Sequence, residues 1–282
     1  MTPLSSHRVY EVWAQVIQDE ELYEAMLEGR HARLEDRGFD AETIAILDQL
    51  HAEPGTKWNV ENLRFRAARF VGDILLFYMP RTIRLLTRGD DEWRQDLCYE
   101  YLAHHRWRAM GHMQLTECER FAEFVRSRVM RRRLTPPHFD AALTFELAAV
   151  RLLRSTADVP ADAWPVRREV TDLELPRLVP RRAPVQAVVE LDADLRPWLE
   201  SGDSLTGEIA PDPITVLLYV PTSTDRYRIK VISEGVKVVL ERCDGERTVD
   251  AIARALEDEH DLPATSVRRL IRSLLDEQIL CA

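Results

Sequence analysis

The C-terminal third of the chain carries the pattern that most constrains the fold. Residues 214–220 (ITVLLYV) form an apolar run, and residues 226–232 (RYRIKVI) alternate between basic and apolar side chains. Pro221 and the polar residues after it separate the two segments, so together they predict a β-hairpin. Residues 185–191 predict a further strand. The sequence therefore indicates a small antiparallel sheet.

Three helix patterns follow the hairpin. Ser233 is placed to cap the first helix, which runs to about Cys243, and Thr248 to cap the second, which runs to about Glu259. A third helix is expected from Pro263 to Glu277, with an apolar stripe at helical spacing. A short sheet followed by three helices predicts a winged-helix domain over residues 185–282.

Helical periodicity dominates residues 1–155. Asn59 is placed to cap a long helix, and Pro80 interrupts its pattern, because proline disfavours helical backbone at the residue before it. The apolar stripe of this helix is predicted to be Leu63, Ala67, Phe70, Val71, Ile74, Leu75 and Tyr78. Residues 139–153 are expected to close an all-α domain. The predicted fold class is thus α+β: an N-terminal all-α domain (1–155), a proline-rich connector (156–184) and the winged-helix domain (185–282).

Composition favours a globular protein in the cytoplasm. The N-terminus lacks the apolar segment of a signal peptide, and the longest apolar stretch is far shorter than the roughly 20 residues of a membrane span. Four widely spaced cysteines form no Cys-x-x-Cys motif, so we expect free thiols and neither a zinc site nor a redox motif.

The net charge of −10 argues against general nucleic-acid binding, which depends on neutralising phosphates. A DNA-binding regulator with a helical sensor domain stays open as an alternative, because Arg268, Arg269 and Arg272 lie on the last predicted helix. Acidic residues on both sides of that helix weigh against it.

Motifs of the common catalytic classes are absent. The sequence holds no glycine-rich phosphate loop, no G-x-S-x-G and no H-E-x-x-H. Glu100 and His104, four residues apart near His105 and His112, leave an unrecognised metalloenzyme as a further alternative. Two candidate ligands do not make a closed metal site, so the favoured interpretation assigns no catalytic or metal residue to the chain.

The last predicted strand suggests a binding surface. If Tyr227, Ile229 and Val231 face the core, then Arg226, Arg228 and Lys230 face outward. An exposed strand edge beside a helix binds extended peptides as an additional strand, and a basic lining favours an acidic peptide. Charged residues that merely protect an edge from aggregation would give the same pattern.

Two segments of the chain resemble known families. The stretches 216–220 (VLLYV), 232–236 (ISEGV) and 240–252 (LERCDGERTVDAI) resemble PqqD-like precursor-recognition domains, although Ser233-Glu-Gly stands where that family has an Asn-x-Thr signature. In this family a leader peptide lies between the third strand and the third helix. The resemblance implies a peptide-binding set made of Arg226, Tyr227, Arg228, Ile229, Lys230, Val231, Val267, Arg268, Ile271, Arg272 and Leu275.

The N-terminal half resembles helical partner subunits of multinuclear non-heme iron oxidases. The matching stretches are 58–66 (WNVENLRFR), 78–86 (YMPRTIRLL) and 93–102 (WRQDLCYEYL). The resemblance implies an oxidase-docking set made of Asn59, Asn62, Arg64, Arg66, Arg69, Arg81 and Arg84.

Together the two resemblances predict a non-catalytic partner with no cofactor of its own. It would present the leader of a ribosomal precursor peptide to an iron-dependent oxidase. The layout is most similar to the partner of 3-thiaglutamate-type biosynthesis, and partners of the methanobactin and aminopyruvatide type stay open as alternatives. The iron belongs to the oxidase.

Overall fold

The computed structural model describes residues 11–16, 19–105, 114–132, 136–164, 166, 169–201, 205, 207–223 and 225–282. It divides into two compact units, Met1–Arg132 and Arg133–Ala282. The predicted combination of helices with a small antiparallel sheet is confirmed. Within the described ranges, no helix is both long enough and apolar enough to cross a bilayer.

The described part of the first unit is helical. Its helices are α1 (11–16), α2 (Glu20–Leu27), α3 (His31–Asp36), α4 (Ala41–Ala52), α5 (Thr56–Tyr78), α6 (Pro80–Thr87), α7 (Asp91–His104) and α8 (Gln114–Arg132). Aspartate side chains cap three of these helices at the N-terminus: Asp19, Asp40 and Asp90 each accept hydrogen bonds from backbone amides of the first turn. The predicted cap at Asn59 is wrong. Helix α5 already begins at Thr56, after Gly55, whose φ of 85° is readily accessible only to glycine.

The second unit contains a three-stranded antiparallel sheet in the order β2-β3-β4 and a two-stranded ribbon of β1 and β5. Its strands are β1 (Arg181–Arg182), β2 (Gln186–Leu191), β3 (Ile214–Tyr219), β4 (Arg228–Ile232) and β5 (Leu280–Cys281). Its helices are α9 (Phe139–Thr156), α10 (Arg196–Glu200), α11 (Glu234–Arg242), α12 (Val249–His260) and α13 (Ala264–Asp276). The predicted caps Ser233 and Thr248 are confirmed, because their hydroxyls accept from the amides of Val236 and Ala251.

Helices cover both faces of the sheet. On one face, Leu217 and Tyr219 of β3 share a core with α11, α12 and α13. On the other face, Val216 and Leu218 are fully buried where α9 packs on β2 and β3. Alternate residues of a strand point to opposite faces of the sheet. Because helices lie on both faces, the side chains of all four residues from Val216 to Tyr219 are buried.

The structure places the boundary between the two units before α9, whereas the sequence pattern predicted a domain boundary after residue 155. Without α9 the face of the sheet that holds Val216 and Leu218 would be exposed to water, which explains why α9 groups with the sheet. The expected connector (156–184) is also partly built into the fold. Leu175 lies in the core with α12 and α13, and β1 pairs with β5.

Candidate functional site

The outer strands of the three-stranded sheet leave backbone groups available for pairing. The Val220 amide donates to the Val185 carbonyl at 3.0 Å, and the β2–β3 register sets these residues opposite each other. Opposite pairs alternate between hydrogen-bonded and non-bonded in an antiparallel ladder. On β2, Ala187, Val189 and Leu191 therefore bond to β3. The amides and carbonyls of the residues between them, 186, 188 and 190, point away from the sheet.

The same alternation fixes the outer strand β4. The backbone amides and carbonyls of Val216 and Leu218 in β3 form hydrogen bonds with β2. Those of Leu217, between them, therefore form hydrogen bonds with β4, where Lys230 is the opposite residue. Ile229 and Val231 consequently direct their amides and carbonyls outward. Among the described residues β4 pairs with β3 alone, so these two residues present up to four unpaired backbone groups at a sheet edge.

The predicted orientation of β4 is wrong. Ile229 and Val231 were expected in the core, but their side chains are 37% and 38% exposed, while Ile232 is buried. Lys230, expected to face solvent, is half-buried on the side of α13. The strand lies at the edge, beyond the main contact of α9 with β2 and β3, so the face that carries Ile229 and Val231 stays open. The alternation of basic and apolar residues predicted the two-residue period of the strand correctly. It does not show which face of the strand a helix covers.

One ion pair links β4 to the end of α13, and we call the outer edge of β4 beside this ion pair the β4 edge groove. The Lys230 ammonium contacts both Glu277 carboxylate oxygens, at 2.6 and 2.7 Å, and the Ser273 hydroxyl donates to the same carboxylate at 3.2 Å. The charge of Lys230 is therefore matched inside the protein. Arg226 and Arg228 are exposed. Arg228 forms a long ion pair with Asp225, at 3.8 Å, but most of its side chain stays accessible, so these two arginines supply the accessible positive charge at this edge.

The α13 residues expected to contact a peptide lie in the core, against it or in ion pairs. Val267 and Ile271 are core residues, and Leu275 packs against the same core. Arg268 donates to Asp250 of α12 at 2.8 Å, and Arg272 pairs with Asp172 in the segment that covers α12 and α13. Three of these five residues contact the core and two form ion pairs, because α13 packs against both the sheet and α12.

The predicted docking residues of the first unit are only partly at the surface. Asn59, Arg66 and Arg69 are exposed, and Asn62 is half-buried. Arg64 lies over the Tyr23 ring, 5.3 Å from its centre.

The two arginines of α6 are less accessible than expected. Arg81 is only 6% exposed and belongs to the interior. Arg84 is half-buried and lines a small cavity with Asp90, Asp91 and Arg94. The assignment of Arg81 to a docking surface is therefore wrong.

A set of exposed large apolar side chains on α5 was missed. Trp58 and Phe65 lie on one side of the helix, Leu63, Phe70 and Phe77 lie roughly a third of a turn away, and the five together are called the α5 stripe here. Trp58 and Phe77 are 65% and 76% exposed, and Leu63 and Phe70, expected inside, are also exposed. Exposed apolar side chains grouped on one element are candidates for an interaction surface. The signal was present in the sequence: Trp58 and Phe65 lie two turns apart, opposite the buried Ala67 and Val71.

The histidine cluster does not assemble a metal site in the part of the chain that the structure describes. The Glu100 carboxylate accepts from Arg128 at 2.8 Å, and His104 Nδ1 lies 2.9 Å from the Glu100 carbonyl oxygen. No group of three histidine, cysteine, aspartate or glutamate side chains there is arranged to hold a metal ion. His112 lies outside the described residues.

Buried thiols are poor nucleophiles in both units. Burial raises the pKa of Cys98 to about 12, and burial likewise raises the pKa of Cys243 to about 12. Because the thiolate is the reactive form, both side chains behave as small apolar residues near neutral pH.

Neither the protein-family models nor the curated proteins that were searched match this chain.

Proposed function

We propose that this chain is a non-catalytic adaptor that binds the leader of a ribosomal precursor peptide and presents it to an iron-dependent oxidase. The observation that carries the proposal is the β4 edge groove. Two residues with outward backbone groups, Ile229 and Val231, lie beside two exposed arginines, Arg226 and Arg228. An extended peptide gains main-chain hydrogen bonds at such an edge, and its acidic side chains gain from the arginines.

The arrangement β2-β3-β4-α11-α12-α13 supports a PqqD-like winged-helix interpretation of the C-terminal region. In that interpretation the leader lies against β4 on the side of α13. The peptide-contacting set narrows to the strand: Arg226, Arg228, Ile229 and Val231 contact the peptide, while Lys230 is held by Glu277. The residues of α13 then support the groove from behind.

The α5 stripe supports the oxidase-docking part of the proposal. Protein interfaces draw most of their binding energy from a few aromatic and arginine side chains. Trp58, Phe65 and Phe77 supply exposed aromatic surface, and Arg66 and Arg69 lie exposed on the same helix. The docking surface is therefore centred on aromatic residues, with the arginines among them. Oxidative chemistry takes place on the iron of the partner, and this chain supplies proximity.

The DNA-binding alternative is less well supported by the geometry. Arg268 and Arg272, two of the three arginines meant for phosphate contacts, are engaged by Asp250 and Asp172. A gel shift with residues 133–282 and random-sequence duplex distinguishes the two functions, because phosphate-driven binding weakens steeply with salt.

Reconstitution tests the proposal directly. The chain is expressed together with a multinuclear non-heme iron oxidase and a ribosomal precursor peptide, taken from its gene neighbourhood where that encodes them, and peptide modification is measured by mass spectrometry. We expect modification only when this chain is present, and a stable complex of chain and oxidase on size exclusion. Equal modification without the chain would refute the adaptor function.

A further inference from the structure

One side of α5 carries exposed apolar and charged side chains in alternation. Steps of three and four residues connect them, so they share one side of the helix. We call the set the α5 seam: Leu63, Arg66, Phe70, Asp73 and Phe77. All five are exposed, whereas Ala67 and Ile74 on the adjoining side of α5 are buried. The seam therefore borders the core of the first unit without entering it.

The two charges of the seam are unmatched within the part of the chain that the structure describes. Arg66 and Asp73 form no hydrogen bond or ion pair with another described residue. Ion pairs along a helix join residues three or four positions apart, and these two are seven apart. Arg69, four residues before Asp73, is exposed further round the helix. A partner that places an acidic group at Arg66 and a basic group at Asp73 would match both charges.

A second copy of α5 that runs in the opposite direction provides this match. Residues that meet across a two-fold axis lie at equal distances from it in opposite directions along the chain. With the axis at Phe70, Leu63 of one copy lies level with Phe77 of the other, because each is seven residues from Phe70. Arg66 is four residues before Phe70 and Asp73 is three residues after it. Arg66 of one copy and Asp73 of the other therefore differ in height by only about 1.5 Å.

The two flanks of the seam also agree in such a pair. At about 3.6 residues per turn, the apolar residues of the seam lie on the flank nearer the core, and Arg66 and Asp73 lie on the other flank. A two-fold axis perpendicular to both helices brings each flank against the same flank of the second copy. Apolar side chains then pack together on one flank, and two ion pairs form on the other. A parallel pair would instead set Arg66 against Arg66 and Asp73 against Asp73.

We infer that this chain forms an antiparallel homodimer through the α5 seam, with Phe70 at the two-fold axis. Trp58 and Phe65 lie on another side of α5 and stay outside this contact. Phe77 and Arg66 also belong to the docking surface of the proposed function. If that function holds, a second copy and the oxidase compete for this side of α5.

A charge exchange, followed by sedimentation velocity on the full chain alone, tests the contact between Arg66 and Asp73. We expect the wild-type chain to form a dimer that dissociates on dilution. Arg66→Asp and Asp73→Arg each set like charges opposite one another twice, and each should weaken the dimer about tenfold. An equimolar mixture of the two variants should form a mixed dimer with about the wild-type affinity, because every acidic residue of the contact then meets an arginine.

A pair of phenylalanine substitutions tests which side of α5 is used. Phe70 and Phe65 are equally exposed, at 38% and 39%, but lie on different sides of the helix. Phe70→Ser removes the central apolar contact from both copies and should weaken the dimer about tenfold or more. Phe65→Ser is the matched control and should leave the dimer unchanged. Circular dichroism verifies that each variant keeps its helix content.

Four results would overturn the inference. The first is a chain that sediments as a monomer at every micromolar concentration. The second is a dimer that keeps its affinity in Arg66→Asp or in Asp73→Arg, and the third is a mixture of these variants that forms no dimer. The fourth is a dimer that Phe65→Ser weakens as much as Phe70→Ser. These measurements contain neither oxidase nor leader, so failure of the reconstitution leaves them unaffected and the two proposals fail separately.

Discussion

The two edges of one small sheet differ in what covers them. Strand β2 lies under α9, which leaves a walled groove, whereas β4 carries Ile229 and Val231 on an open face and faces α13 on the other. Both edges offer unpaired backbone groups, so the backbone alone does not set specificity. The difference teaches that side chains, and not the backbone, distinguish the two edges: α9 brings mostly small side chains and Arg151 beside β2, whereas Arg226 and Arg228 lie in β4 and the turn before it.

A matched pair of substitutions in β4 gives the largest expected effect. Ile232→Ala removes a buried side chain and should cost about 2–4 kcal/mol of unfolding free energy, whereas Ile229→Ala should cost less than about 1 kcal/mol. Urea-dependent labelling of Cys243, which is buried in the same unit, measures both. A larger loss for Ile229→Ala than for Ile232→Ala would mean that the strand is turned the other way, and equal losses would mean that Ile229 is as buried as Ile232; either result contradicts the assignment.

Docking of the oxidase should be independent of both edges. Trp58→Ser with Phe77→Ser should weaken the complex with the oxidase about 30-fold, as expected for loss of the two most exposed aromatic side chains of α5. Surface plasmon resonance measures this, with Leu173→Ser, an exposed apolar residue in the second unit, as the matched control. If the control weakens the complex equally, or the double variant leaves it intact, docking does not use the α5 stripe.

The ion pair in the β4 edge groove predicts a smaller effect. Glu277→Gln removes the carboxylate that neutralises Lys230, so an acidic leader should bind about two- to fivefold more tightly. The change in stability should stay below about 1 kcal/mol, because both partners are partly exposed. Glu259→Gln, which leaves Arg242 without its partner away from the groove, is the control. Weaker peptide binding in Glu277→Gln would contradict the arrangement.

Much of the secondary structure was accessible from sequence, because local chemistry determines it. The capping side chains of Ser233 and Thr248 and the alternation in β4 each act within a few residues. The sequence did not predict which face of β4 is buried, because this depends on which helix packs over the edge of the sheet. Arg268, Arg272 and Arg81 likewise look like surface residues locally, but distant carboxylates and packing decide their environment.

The α5 stripe shows a different limit. Helical spacing identifies which residues share a face, and it correctly groups Ala67 with Val71. Leu63 and Phe70 lie at the border of that face, and their large apolar side chains argue for burial when exposure is not known. A rule that buries every apolar residue conceals such an exposed border, although exposed apolar side chains are candidates for an interaction surface.

Equilibrium binding of the leader peptide to Val231→Pro tests the central claim most directly. The fluorescent leader of the precursor peptide that is modified in the reconstitution is titrated against the wild-type chain, Val231→Pro and Val188→Pro, with thermal unfolding to verify the fold. Strand addition at β4 predicts an affinity about tenfold or more lower for Val231→Pro and unchanged for Val188→Pro. Unchanged affinity for Val231→Pro in a folded protein would contradict the account.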